Sequence, residues 1–122
     1  MLLVIGALSG GIFYAPLNLP HGATITMMTL DFWNQSSNSE EYIAIYLERS
    51  SLYVYSLMGS VVSNSLGKNS VSTTSFFDPE IDNSQYTYYI VLDIGDEFLF
   101  CYGVLIEFTY PINFLPLIMH GF

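Results

Sequence analysis

Side chains alternate between two faces at a period of two along almost the whole chain. The longest example is FLFCYGVLIEFTY, residues 98–110. There Phe98, Phe100, Tyr102, Val104, Ile106 and Phe108 fall on one side, and Leu99, Cys101, Leu105, Glu107 and Thr109 on the other. Consecutive strand residues point to opposite faces, so this period selects strands over helices. No long stripe at helical spacing interrupts it. The chain is therefore confined to all-β architectures.

Turn-forming clusters cut the pattern into about eight short strands. ATITMMTLDFW is one, with Met27-Met28 breaking the phase as a bulge does. EYIAIYLER places Ile43, Ile45 and Leu47 on one face, and Tyr42, Ala44, Tyr46 and Glu48 on the other. The residues Arg49-Ser50-Ser51 then predict a tight turn into a strand SLYVYSLM. SNSLGKNS predicts a polar loop, SVSTTSFF a strand, DPEIDNSQ a turn, and YTYYIVLDI a further strand. Gly103, inside the longest strand, predicts a bend or a close backbone approach. The expected fold is one antiparallel β-sandwich of jelly-roll type spanning residues 1–122. An immunoglobulin-like sandwich is the alternative, but its Cys…Trp…Cys pattern is missing from a chain with one cysteine.

Composition narrows the partners. Hydrophobic residues make up 52% and charged residues 11%, too few charges to coat an ordinary monomer. Large apolar patches are rare on monomers, so the excess is expected in an interface. The net charge is −9, with Arg49 and Lys68 the only basic side chains besides two histidines. Nucleic acid needs clustered Lys and Arg and is excluded as a partner on that ground. The apolar start, residues 1–11, has no basic lead-in and is short for a signal peptide. It is also far shorter than the roughly 20 apolar residues of a membrane span. Cys101 lies in an apolar run and reads as a small buried hydrophobe.

Three segments carry a resemblance. YAPLNLPHGATIT, then PEIDNSQYTYYIVLDI, then YGVLIEFTY fit the pattern A-P-x-x-L-P-x-G-A-x-I, I-D-N-x-x-Y-x-Y-Y, Y-G-V-x-I-x-[YF]-T. In this the chain resembles a β-domain recurring in uncharacterised secreted bacterial and archaeal proteins, over residues 14–110. The resemblance implies a β-rich fold and an extracellular or cell-surface location. It assigns no activity and no catalytic residue, and it leaves the position of His21 variable.

The candidate residues divide by chemistry. Asp78, Glu80 and Asp82 alternate in a loop, and carboxylates so spaced can contribute oxygens to Ca²⁺. The structural alternative is an Asx-type turn with Pro79 fixing φ. Asn34 begins the glycosylation acceptor pattern NQS. Trp33, Tyr42 and Tyr46, with Tyr53 and Tyr55, could form an aromatic platform for carbohydrate; cross-strand tyrosine pairing is the commoner use. His21 reads as a turn residue, and only a cleft placing it beside a carboxylate would bring an enzyme forward.

The leading expectation is a non-enzymatic extracellular structural protein that self-assembles into a homo-oligomer or filament. Its contacts would come from an apolar N-terminal arm with Leu2, Leu3, Val4, Ile5 and Leu8, added as a donor strand to a neighbour's sheet. A tail over residues 111–122, with Phe114, Leu115, Leu117 and Ile118, would cap the neighbour. The alternative is a carbohydrate- or calcium-binding β-sandwich module. No cofactor is required under the first reading, and Ca²⁺ is the first to test under the second.

Overall fold

The computed structural model describes residues 2–3 and 8–110. Among these there are nine strands and no helix. In chain order they are β1 (Leu2–Leu3), β2 (Leu8–Ser9), β3 (Gly11–Leu17), β4 (Thr24–Asn34), β5 (Ile43–Ser50), β6 (Tyr55–Ser63), β7 (Gly67–Thr73), β8 (Thr87–Ile94) and β9 (Leu99–Thr109). One sheet runs β1-β9-β4-β7, with β2 also on β9; the other runs β3-β8-β5-β6. Counting β1 and β2 as one interrupted strand gives eight strands in two four-stranded antiparallel sheets. The pairs β2–β9, β3–β8, β4–β7 and β5–β6 are nested, like one long hairpin rolled up. That is jelly-roll order, as the alternation predicts.

The two sheets close over a single apolar core. From one come Ile25, Met28, Leu30 and Phe32 of β4 with Leu99, Cys101, Val104 and Ile106 of β9. From the other come Ile43, Ile45 and Leu47 of β5 with Tyr88, Ile90, Leu92 and Ile94 of β8. Phe32, Leu30, Leu47 and Ile90 are among the side chains fully sealed from solvent.

Three local features depart from simple alternation. In β9, Asp31 pairs with Gly103 but Phe32 with Cys101, so Tyr102 is an extra, bulged residue. A bulge flips the phase. The inward face is thus Leu99 and Cys101, then Val104 and Ile106, rather than one unbroken set of even positions. Gly103, expected to mark a bend, sits beside this bulge. The break in β4 falls between Ile25 and Met27, beside the expected Met27-Met28 position.

The third departure is the β5–β6 turn. β5 runs through Ser50, and the reversal occupies residues 51–54, not Arg49-Ser50-Ser51. The Ser51 N–H donates to the Val54 carbonyl at 2.6 Å, and the Val54 N–H to the Ser51 hydroxyl at 3.2 Å. The apolar trio Leu52, Tyr53 and Val54 therefore forms a hairpin tip instead of a strand. Likewise the expected polar loop SNSLGKNS is half strand, because β7 starts at Gly67.

The stretch YAPL forms the second half of strand β3, at the edge of its sheet. An edge tolerates Pro16, which has no N–H to give. The chain crosses between sheets just before it, at Gly10 (φ 58°) and Gly11 (φ 116°). Both lie in the left-handed region that favours glycine.

A tight approach elsewhere gives a stability test. A side chain at Gly95 would meet the Tyr42 carbonyl oxygen at 2.9 Å, the group that accepts the Gly95 N–H. Gly95→Ala is expected to cost about 1–3 kcal/mol, read as a lower thermal midpoint. An unchanged midpoint would show that the backbone gives way there.

Candidate functional site

The segments around His21 and Asp82, read separately in the sequence, meet in space. The Ala23 N–H donates to the Pro20 carbonyl at 3.0 Å, closing a turn that holds His21 and Gly22. The Gly22 N–H then donates to the Ile81 carbonyl at 2.8 Å, Ile81 to Ala23 at 2.7 Å, and Ile25 to Pro79 at 3.0 Å. This short ladder pins DPEID along the start of β4. A cleft of about 540 Å³ opens beside it, lined by His21, Arg49, Asp78, Glu80, Asp82 and Tyr86, among others.

His21 thus stands beside a carboxylate, with its Nδ1 3.9 Å from Asp82 Oδ1. The arrangement is not that of a catalytic dyad. His21 Nδ1 accepts the Asn83 N–H at 3.1 Å, so in the neutral ring it carries no proton to donate to Asp82. Asp82 is engaged by its own turn: it accepts the Ser84 N–H at 3.0 Å, the Ser84 hydroxyl, and Gln85 Nε2 at 2.8 Å. These bonds, the Ser84 hydroxyl first, hold its carboxyl below the ordinary range. This is an Asx-type turn, set at Asp82–Ser84 rather than at Pro79, and His21 sits in the adjoining Pro20–Ala23 turn.

The three alternating acids are Asp78, Glu80 and Asp82 of DPEID. They lie along the ladder rather than wrapping a centre. Asp78 turns to Arg49, whose Nη2 donates to its Oδ2 at 3.1 Å. Glu80 stands opposite Thr24 in an isolated bridge. Among the described residues, no three His, Cys, Asp or Glu side chains are grouped to hold a metal ion.

Arg49 was not a candidate in the sequence, yet it organises this end of the molecule. Its side chain is largely buried. The guanidinium lies 4.0 Å from the Tyr86 ring centroid and 5.5 Å from that of Phe77, and Nε donates to the Ser56 hydroxyl at 3.3 Å.

A second site occupies the outer face of the β3-β8-β5-β6 sheet. Strand order brings Tyr14, Tyr46, Glu48, Tyr55, Tyr89 and Val91 around a groove of about 430 Å³, with Leu57 at its side. Glu48 is only 8% exposed. The Tyr55 hydroxyl donates to its Oε2 at 3.4 Å, and the charge of Glu48 raises the Tyr55 phenol above its usual range. Tyr89 is raised too, by burial first and then by Glu48. Tyr42 stands nearby on this face, and its hydroxyl donates to Asp93 at 3.3 Å. Tyr14, Glu48 and Tyr89 were not site candidates in the sequence, although alternation puts Glu48 on the Tyr46 face. Their only signal was outward phase, and which outward residues become neighbours depends on strand order.

The surface around this groove is apolar. Ile12, Tyr14, Tyr55, Leu57 and Val62 are exposed on the same face, and at the hairpin tip Leu52 is 85% and Tyr53 90% exposed.

Several expected sites fall elsewhere. Trp33 lies on the outer side of the other sheet, tilted against Phe100 and below Lys68, so it shares no platform with Tyr42 and Tyr46. Asn34 is 4% exposed; its Nδ2 donates to the Asn64 carbonyl at 2.9 Å, and its Oδ1 accepts the Ser36 N–H at 2.8 Å. A glycan would attach at that same Nδ2, which the fold buries and engages. Cys101 is buried as expected, and burial pushes its thiol up to about 11. Leu2, Leu3 and Leu8 belong to strands paired with β9 of the same chain, an edge of its own sheet rather than a free arm. Val4, Ile5, Phe114, Leu115, Leu117 and Ile118 lie outside the described residues.

Fold and surface together define a jelly-roll β-sandwich with a tyrosine-lined groove and an apolar outer face. No family model matches the chain, and no curated protein matches it.

Proposed function

We propose that the chain is a non-enzymatic, extracellular structural protein that self-associates into a homo-oligomer or filament. The observation that carries this reading is the exposed apolar surface running from Leu52 and Tyr53 at the hairpin tip across Tyr55, Leu57 and Tyr14 of the outer sheet face. Monomers rarely leave so much apolar area open to water. The contact surface is this face and tip, and covering it removes the exposure. The extracellular location rests on the resemblance to secreted β-domains.

The net charge of −9 opposes association through water. Salt shortens the screening length from about 30 Å at 0.01 M to about 8 Å at 0.15 M, so association is salt-promoted. Light scattering is expected to show a particle several chains in mass at 0.15 M sodium chloride, and a smaller one at 0.01 M. A single-chain mass at every salt and protein concentration overturns the reading in favour of a monomeric carbohydrate- or calcium-binding module. If so, a melting shift produced by calcium but not by matched sodium chloride identifies the calcium-binding module.

A further inference from the structure

Glu48 and Lys68 carry opposite charges, have no ionic partner among the described residues, and lie on opposite outer faces. Glu48 is a buried carboxylate at the tyrosine groove, and among the described residues it forms no ion pair. Burying a charge without a counter-charge is costly, and its phenol contacts compensate only in part. The chain has two basic side chains besides histidine. Arg49 is taken up by Asp78 and by the Tyr86 and Phe77 rings. Lys68 is exposed, its ammonium 5.0 Å from the Trp33 ring centroid, and among the described residues it also forms no ion pair.

Lys68 pairs in register with Trp33, whose neighbours Phe32 and Asn34 point inward. Trp33 and Lys68 therefore stand on the outer side of the β4–β7 sheet. The groove opens on the outer side of the β3-β8-β5-β6 sheet. One copy cannot bring the two together across its own core.

We infer that Lys68 of one copy enters the tyrosine groove of the next and pairs with Glu48. This deepens the self-association reading and rests on it. The groove suits a lysine: the tyrosine rings can flank the stem and face the ammonium, and the carboxylate supplies the counter-charge. Because knob and groove are on opposite faces, the contact is heterologous. It repeats from copy to copy and builds a ring if it closes, or a filament if it does not.

Complementary variants test this. Lys68→Met removes the charge and leaves the groove; Tyr14→Ala opens the groove and leaves the lysine. Both side chains are exposed, so the fold is retained. By sedimentation velocity, Lys68→Met is expected to associate about thirtyfold more weakly than the parent chain, and Tyr14→Ala about tenfold. Lys68→Arg is expected to keep association. Mixed one to one, the two weakened variants are expected to recover a dimer that grows no further, because one intact lysine meets one intact groove. Parent-like association by Lys68→Met overturns this inference and leaves self-association standing. A mixture that recovers nothing overturns it, because an intact lysine and an intact groove then fail to meet. A parent chain that stays monomeric overturns both.

Discussion

Replacing Arg49 by alanine is expected to lower stability by about 3 kcal/mol, read from the urea midpoint. Two losses combine. The guanidinium leaves the face of Tyr86 at 4.0 Å, and its buried stem leaves a void between β5 and the loop carrying Asp78. The Ser56 hydroxyl and the Asp78 carboxylate each lose their donor. Asp78 is largely open to water and re-solvates, so the packing loss dominates. Arg49→Met separates the two contributions. It keeps most of the stem, and is expected to recover about half of the loss. If Arg49→Ala costs less than about 1 kcal/mol, Arg49 is not what ties the Asp78 loop to the sandwich.

Phe32→Ala is expected to cost more, about 3–5 kcal/mol. Phe32 lies on β4, the strand flanked by β9 and β7, and is 1% exposed. Its neighbours on both sides are held in ladders, opposite Cys101 and Asn69, so they cannot collapse into the space. Phe32→Leu leaves a smaller void and is expected to cost about 1.5 kcal/mol or less. Equal losses for the two variants would mean that the core relaxes around this position, contrary to its dense packing.

The fold was largely legible in the sequence because one period dominates it. Ile43, Ile45 and Leu47, or Tyr88, Ile90 and Leu92, identify their core face by alternation alone. Legibility ended where local geometry overrode the pattern. Tyr102 is apolar enough to continue the even-numbered face of β9, and only the partner strand reveals it as the extra residue. Leu52-Tyr53-Val54 has strand-like composition, yet the Ser51 hydroxyl and the Val54 N–H close it into a turn. The candidate sites were less legible still. DPEID spaced its acids as a cation loop would, but a backbone ladder to β4 fixed their directions. Asn34 matched an acceptor pattern whose nitrogen the fold then used. The tyrosine groove assembles from β3, β8, β5 and β6. No spacing within one segment encodes that neighbourhood.

The nested pairing of strands also sets the order of events during synthesis. β4 leaves the ribosome early, but its longest ladder is with β9, whose paired residues are made about 65–85 positions later. At about 5–20 residues per second, the chain spends several seconds with the edge and core face of β4 unpartnered on that side. The innermost hairpin, β5–β6, has no such wait and can form first. This jelly roll therefore closes from its tip outward and is completed only when its late strand arrives. Until then TITMMTLDFWN presents an open strand edge, which the finished fold shelters between two neighbours.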